Sequence, residues 1–267
     1  MGVEVVEREA FFGCEEALTD VECGKLEIIG ECAFAHCKSL RSINLPSAKI
    51  VKWWAFIGCE ALTVVECGKL EIIEERAFGS CNSLMSINLP SAKIVKWWAF
   101  FECAALTNVK FGKKLESIGN GAFDECPSLE RITIPLKDGM IAHDSIFRGC
   151  ENLKQVDLVE EAVLRDTIAA LLLEEWKHDM EEKIDSINQI LPTTPAGGFG
   201  DDDGGKARAI RSWISSVLSA IIHYKAQHRS YLNEAATTLQ LASPNDVVLE
   251  NVLPFLKLPS YTFEGED

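Results

Sequence analysis

The sequence predicts an α+β chain: a solenoid of about seven 22–24-residue units with short parallel strands, followed by a helical hairpin or cap. Three observations carry this. Phenylalanine recurs at Phe11, Phe34, Phe56, Phe78, Phe100, Phe123 and Phe147, each followed three residues later by cysteine (Cys14, Cys37, Cys59, Cys81, Cys103, Cys126 and Cys150). Residues 39–56, SLRSINLPSAKIVKWWAF, return at 83–100 with only Arg41 exchanged for Met85, so a double period of 44 overlies the period of 22. After Leu158 the apolar spacing becomes helical and cysteine disappears.

One clear unit reads Leu40, Ile43, Leu45, Pro46, Ile50, Val51, Ala55, Phe56, Cys59. A unit this small cannot bury its apolar residues alone, and stacked units bury them in columns. Residues 40–45 form a strand that Pro46 ends by removing a backbone donor. A second extended piece lies near Ile50 and Val51. Small Ala55 beside large Phe56 suits a tight inward corner. Coils stacked as strands stand ~4.8 Å apart.

The L-x-x-I-x-[LI]-P…I-x-x-x-A-F-x-x-C pattern resembles the BspA-like class of leucine-rich repeats over residues 3–158. The resemblance implies a solenoid that binds proteins or glycans, often at cell surfaces. The chain departs from the pattern at several points. Cys23 and Cys67 stand where neighbouring units place Leu45 and Leu89, and Lys52-Trp53-Trp54 and Lys96-Trp97-Trp98 replace the usual Gly-bearing turn. The unit at 136–147 is stretched. No polar cap precedes the first unit, so that end is expected either to lack residues or to be covered by another molecule.

Three readings of the cysteines are open. They are small buried hydrophobes in a column, which is the expectation; or disulfides, which the coil spacing would allow; or zinc ligands, for which Cys32 and Cys37 offer only a C-x4-C pair with no answering second pair. No metal and no cofactor is expected.

Residues 1–158 are read as the solenoid domain and 159–267 as a helical domain, with a Gly/Asp-rich linker at 192–205. A helical run from Ala162 to Leu191 ends at Pro192, and its apolar first turns suit packing over the open end of the solenoid. A second run extends from about Lys206 to Ala242 with a seam of Ile210, Ile214, Val217, Ile221, Tyr224, His228, Tyr231 and Ala235. The two runs are expected to pair as an antiparallel hairpin, with oligomerisation through these helices as the alternative. A shorter helix starts at Ser243-Pro244, and residues 245–256 weakly resemble the opening helix of an F-box.

Lys and Arg number 26 against 41 Asp and Glu, a net charge of −15. The solenoid has 17 basic against 23 acidic residues and the remainder 9 against 18, so the acidity is concentrated in the helices and linker. This balance argues against nucleic acid or an anionic membrane as partner. No apolar run approaches the ~20 residues that span a bilayer. The first residues lack the basic and apolar segments of a secretory signal, from which a cytoplasmic or otherwise intracellular location is expected.

No enzymatic activity is expected. None of His36, His143, His178, His223 and His228 sits in a motif with an activating partner. The stretch Gly200 to Lys206 fits G-x4-G-K, but Ala207 stands where a phosphate loop needs Ser or Thr. The expected function is a protein–protein interaction scaffold, with a glycan or cell-surface adhesion module and an F-box-like substrate adaptor as alternatives.

Candidate ligand contacts fall in two sets. Outward strand positions form a column of Glu22, Asn44, Glu66, Asn88, Lys110, Thr133 and Asp157, beside a second column that includes Asp20, Ser42, Val64 and Arg131. From the first column Asn44, Glu66, Asn88 and Lys110 are taken as contacts. The other set is Trp53 and Trp97, two coils apart. Their equivalents Glu31 and Glu75 are charged, which makes them the expected exposed members of the Trp pairs. The alternative is that each indole lies flat over the neighbouring coil.

Overall fold

A computed structural model describes residues 4–14, 18–169, 171, 173–191 and 205–238. The predicted linker up to residue 204, the helix from Ser243 and the F-box-like stretch at 245–256 lie outside these residues. The chain forms two compact units. Among the described residues, one takes those up to 159 and those within 187–212, and the other those within 160–186 and from 213 on.

In the first unit each of the first six coils adds one strand to each of two walls, and the seventh adds a strand to one and an isolated bridge, Ile141 to Ile118, to the other. One wall is a six-stranded parallel sheet, β1 (Glu4–Val6), β3 (Leu26–Ile29), β5 (Ile50–Val51), β7 (Ile72–Ile73), β9 (Ile94–Val95) and β11 (Ser117–Ile118), in that spatial order. The other has a three-stranded part, β2 (Asp20–Glu22), β4 (Ser42–Asn44) and β6 (Val64–Glu66). Its four-stranded part is β8 (Ser86–Leu89), β10 (Asn108–Phe111), β12 (Arg131–Ile134) and β13 (Gln155–Leu158). The register is in step with the repeat: Ile43 lies opposite Val65, and Val109 opposite Ile87 and Ile132. These side chains are buried, while those on either side turn outward, as the period of two requires.

The corners carry the columns. Phe34, Phe56, Phe78, Phe100 and Phe123 are fully buried. From Phe11 to Phe147 successive rings stack at 4.9, 5.2, 5.1, 5.4, 5.3 and 5.8 Å, with planes within 12° of parallel. Backbone bonds continue across the corner, with the Phe34, Phe56, Phe78 and Phe100 N–H groups each donating at 2.8 Å to the Ala carbonyl of the next coil.

The ten cysteines are free thiols, nine of them buried. From Cys37 to Cys150, each column thiol donates to the carbonyl of the Phe one coil earlier, at 3.0–3.2 Å. A small side chain with a weak donor suits this place: it adds a second hydrogen bond to a Phe carbonyl that, at Phe11, Phe34, Phe56 and Phe100, already accepts from the N–H of the Cys three residues on at 3.2–3.3 Å. Burial pushes the Cys37 thiol up to about 11 and those of Cys67 and Cys81 up to about 12.

The coil ends in two left-handed residues. One precedes the corner Ala: Glu9, Cys32, Trp54, Arg76, Trp98 and Gly121, with φ between 51° and 63°. The other precedes the column Cys: Gly13, His36, Gly58, Ser80, Glu102, Glu125 and Gly149. For a residue other than glycine this conformation costs ~1–2 kcal/mol. The inter-coil ladder imposes it nonetheless: Trp54 N–H donates to Glu75 O at 3.0 Å, and Arg76 N–H to Trp97 O at 3.2 Å.

The last coil is capped within the same unit by α3 (Ile187–Ile190) and the first turns of α4 (Gly205–Thr238). Asn188 Oδ1 accepts from Val156 N–H at 2.9 Å. The buried Lys206 ammonium donates to the carbonyls of Cys150 and Glu151. Arg211 donates to the Ile141 carbonyl at 2.6 Å and to Asp144 at 2.8 Å. Basic side chains thus satisfy carbonyls at this end of the solenoid, where no further coil supplies N–H groups.

The helical run expected over 162–191 is not continuous. It is divided into α1 (Glu161–Ala169), α2 (Glu174–Asp185) and α3. Leu173 is extended, with φ −109° and ψ 135°, which starts α2 afresh. The second long helix is α4.

In the second unit α2 and α4 run antiparallel. Trp213 Nε1 donates to Lys183 O at 2.6 Å and Tyr224 Oη to Asp179 at 2.7 Å, while Trp176 packs on Tyr224 and Tyr231. Of the predicted seam, Ile210, Ile214, Val217, Ile221 and His228 are buried, Tyr224 is half-buried, and Tyr231 is exposed. The Ala235 side chain lies outside the description.

Candidate ligand-binding surfaces of the solenoid

The two sets of predicted contact residues sit on different columns. Strand pairing places Glu22, Asn44 and Glu66 in one row, and Asn88, Lys110, Thr133 and Asp157 in another. Glu66, Asn88 and Lys110 are exposed and Asn44 is half-buried. The rows are separate because β6 and β8 belong to separately hydrogen-bonded parts of this wall. Near this break Cys67, the replacement for a core Leu, reaches Asn88 O only through its thiol at 3.7 Å.

Two exposed apolar side chains mark the same place: Val64 on β6 and Met85 just before β8. Elsewhere this wall binds its own polar groups. Ser42 Oγ donates to Asp20, which holds that carboxyl below its usual range. Arg131 donates to Asp157 at 3.2 Å and to Gln155 at 2.6 Å.

Trp53 and Trp97 follow β5 and β9. Trp53 is 37% exposed, the same as Trp54, whereas Trp97 is 54% exposed and Trp98 half-buried. The outward–inward division expected within each pair therefore holds for the second pair and not for the first. In both pairs the second Trp is left-handed and its indole lies along the solenoid axis over the next coil, which leaves Trp54 as exposed as Trp53 and Trp98 half-buried.

Trp54 and Trp98 lie two coils apart and flank Arg76, whose guanidinium is 6.0 Å from the Trp54 ring centroid and 5.0 Å from that of Trp98. The Trp98 indole in turn covers Gly121, where an added Cβ would come within 2.5 Å of Nε1. These second indoles thus lie over the next coil, as the alternative reading had it for the pair as a whole. Trp53 stands edge-on to Trp54 at 5.7 Å and 71°, and Trp97 to Trp98 at 6.3 Å and 82°.

Arg76 is the residue that reading by motif passes over. Its Nε is buried without a hydrogen-bond partner among the described residues, so the ring faces are what hold it. Its signal in the sequence is position alone, 22 residues from each left-handed Trp.

Beside the ridge, charge alternates coil by coil. Lys49 pairs with Glu27 at 3.1 Å, Lys93 with Glu71 at 2.7 Å, and Lys96 with Glu74 at 3.1 Å. The hydrogen bond from Lys93 is the main cause holding the Glu71 carboxyl below its usual range. Glu74 also accepts from Trp53 N–H at 3.2 Å. Exposed pairs of this kind add little to stability, because water and salt screen them. Their larger effect is on register, since a slip by one coil would set like charges together.

Among the described residues no group of three His, Cys, Asp or Glu side chains could hold a metal ion, and no helix is long and apolar enough to cross a membrane.

Among the solved structures similar to the chain are three leucine-rich repeat proteins. A leucine-rich repeat protein from Bacteroides ovatus is 26% identical over 60% of this chain and 43% of its own, with a TM-score of 0.48. The T. pallidum leucine-rich repeat protein is 26% identical over 59% of this chain and 64% of its own, with a TM-score of 0.42. A leucine-rich repeat protein from Eubacterium ventriosum is 30% identical over 44% of this chain and 32% of its own, with a TM-score of 0.40. The chain therefore spans less than two thirds of each of these relatives. No curated protein matches it. The BspA type leucine rich repeat region matches in six copies, over residues 4–96 and 71–166. With more than half of its length covered by that repeat and its coils stacked on Phe and Cys columns, the chain belongs to the BspA-type leucine-rich repeat family.

Proposed function

We propose that the chain is a non-catalytic scaffold that binds a protein partner through its solenoid. The observation that carries this reading is the exposure of Trp53, Trp54 and Trp97 on a solenoid whose other large apolar side chains are mostly in columns. Indole is the side chain most enriched at binding hot spots. Here it is displayed on a backbone tied to its neighbours by inter-coil hydrogen bonds, which lowers the ordering cost of association. The fold class supports a binding rather than a catalytic role, and the acidic charge favours protein over nucleic acid.

The test is crosslinking of the full chain to the protein it captures, followed by mass spectrometry. Crosslinks through Lys49, Lys96 or Lys110 of the solenoid are the expected result. Crosslinks confined to Lys177 and Lys225 of the helices would assign binding to the other unit and sink the reading.

A further inference from the structure

We propose that the ridge Glu31–Trp53–Glu75–Trp97 is a docking site for a proline-rich peptide in the polyproline II conformation, with a basic residue between its anchoring prolines. This rests on the protein-binding reading above and names the class of ligand.

The spacing of the indoles matches such a helix. The Phe rings of the coils that carry Trp53, Glu75 and Trp97 are 5.1 and 5.4 Å apart, so the two indoles recur after two coil steps, about 10 Å along the axis. A polyproline II helix turns once in three residues of ~3.1 Å each, so prolines three apart return to the same edge after about 9.3 Å. Every third residue of such a helix would meet an indole. A β-strand ligand has no matching period, because its side chains return to one face at every second residue.

The indoles are also held rigidly. Each outward Trp is held edge-on by its neighbour, Trp53 by Trp54 and Trp97 by Trp98. Those neighbours are spaced by the Arg76 guanidinium between them. The duplication of residues 39–56 at 83–100 gives both platforms the same local chain. Two like, pre-ordered aromatic platforms suit a ligand that is itself stiff and periodic, since neither side then loses much freedom on binding.

Charge on the ridge selects the residue between the prolines. The coil between the two indoles presents Glu75, which forms no ion pair among the described residues. Glu31, one coil before Trp53, has only Arg8 at 4.0 Å. The neighbouring carboxylates Glu71 and Glu74 are already paired with Lys93 and Lys96. A lysine or arginine between the anchoring prolines is turned about 120° from their edge, and its long flexible side chain reaches back to the available carboxylate of Glu75.

The experiment is calorimetric titration of the full chain with synthetic peptides. One has proline at every third position and a lysine in each turn. A second has prolines at every fourth position, and a third has glutamate in place of lysine. The first is expected to bind, and Trp53→Ala and Trp97→Ala each to weaken it about tenfold or more. Trp53→Phe and Trp97→Phe, which keep an aromatic face, should retain part of the affinity, and unchanged circular dichroism shows that the fold persists. Glu75→Gln should weaken the lysine peptide severalfold and leave the glutamate peptide no weaker.

Three results would overturn the proposal: no binding of the first peptide, equal binding of the every-fourth peptide, or binding unaffected by both Trp→Ala variants. Binding of a β-linked oligosaccharide in place of the peptide would also overturn it, assigning the indoles to sugar faces. If the peptide fails while solenoid crosslinks to a captured protein persist, the ligand class is wrong and the scaffold reading stands. If solenoid crosslinks fail as well, the scaffold reading falls with it.

Discussion

The Phe ladder of the solenoid and the aromatic cluster of the helical unit are both apolar contacts between rings, built on opposite plans. In the ladder one residue type repeats, each internal ring has two like neighbours, and all six contacts are nearly parallel stacks. In the helices a single Trp176 meets Tyr224 at 31° and Tyr231 at 48°, and no second copy of the arrangement exists among the described residues. A periodic array divides its stability among equivalent positions, so its ends are weaker than its middle. A unique cluster depends on a few anchors with particular hydrogen bonds, here Tyr224 to Asp179 and Trp213 to the Lys183 carbonyl.

The strongest way to break that contrast is to remove one ring from the array at two places. Phe78→Ala, in the fully buried middle, is expected to cost about 3–5 kcal/mol in denaturant unfolding. Phe11→Ala, at the exposed end with one ring neighbour, should cost much less. Equal losses at both positions would show that the ladder has no end effect.

A smaller effect tests the capped end. Lys206→Met keeps the length of the side chain and deletes the donor to Cys150 O and Glu151 O. Cys150 O keeps the Leu153 N–H at 3.3 Å, so the cost is that of losing hydrogen bonds from a charged donor, about 1.5–3 kcal/mol. The loss should be accompanied by faster amide exchange in the last coil, and unchanged exchange there would refute the capping role.

The smallest effect is in the thiols. Burial raises the Cys37, Cys67 and Cys81 pKa values in the fold, so the folded state favours the neutral thiol. The stability this contributes is fully present below the ordinary thiol pKa and is lost as pH rises through about 11 to 12. Alkylation of the native chain near pH 8 should modify half-buried Cys14 first. Denaturation should then release all ten. Rapid native labelling of Cys81 would contradict the buried column.

The solenoid was legible because each of its columns is written several times. Leu, Ile, Ala, Phe and Cys recur at one spacing, and a position that recurs in sequence recurs in space. The break between β6 and β8 was not legible: the same Cys-for-Leu exchange at Cys23 leaves β2, β4 and β6 paired, with Cys23 N–H donating to Asn44 O at 2.9 Å. The paired indoles were legible as a feature and their orientation was not. Trp54 occupies a left-handed position that alternation along an extended chain does not anticipate, and it became as exposed as Trp53. Among the helices, periodicity located the apolar faces of α2 and α4 but not the interruption at Leu173.

The sequence by itself determined the number of coils, their stacking order, the identity of the core columns and the alternation of charged coils. Each of these follows from hydrophobic and charge patterns that act over one repeat and are repeated. Only the tertiary structure decided that the thiols donate to Phe carbonyls one coil away and that Lys206 and Arg211 satisfy the carbonyls of the capped end. It alone placed Arg76 between two indoles. These contacts depend on direction, on which way a backbone carbonyl or ring face points, and direction is set by the inter-coil hydrogen bonds, not by residue type.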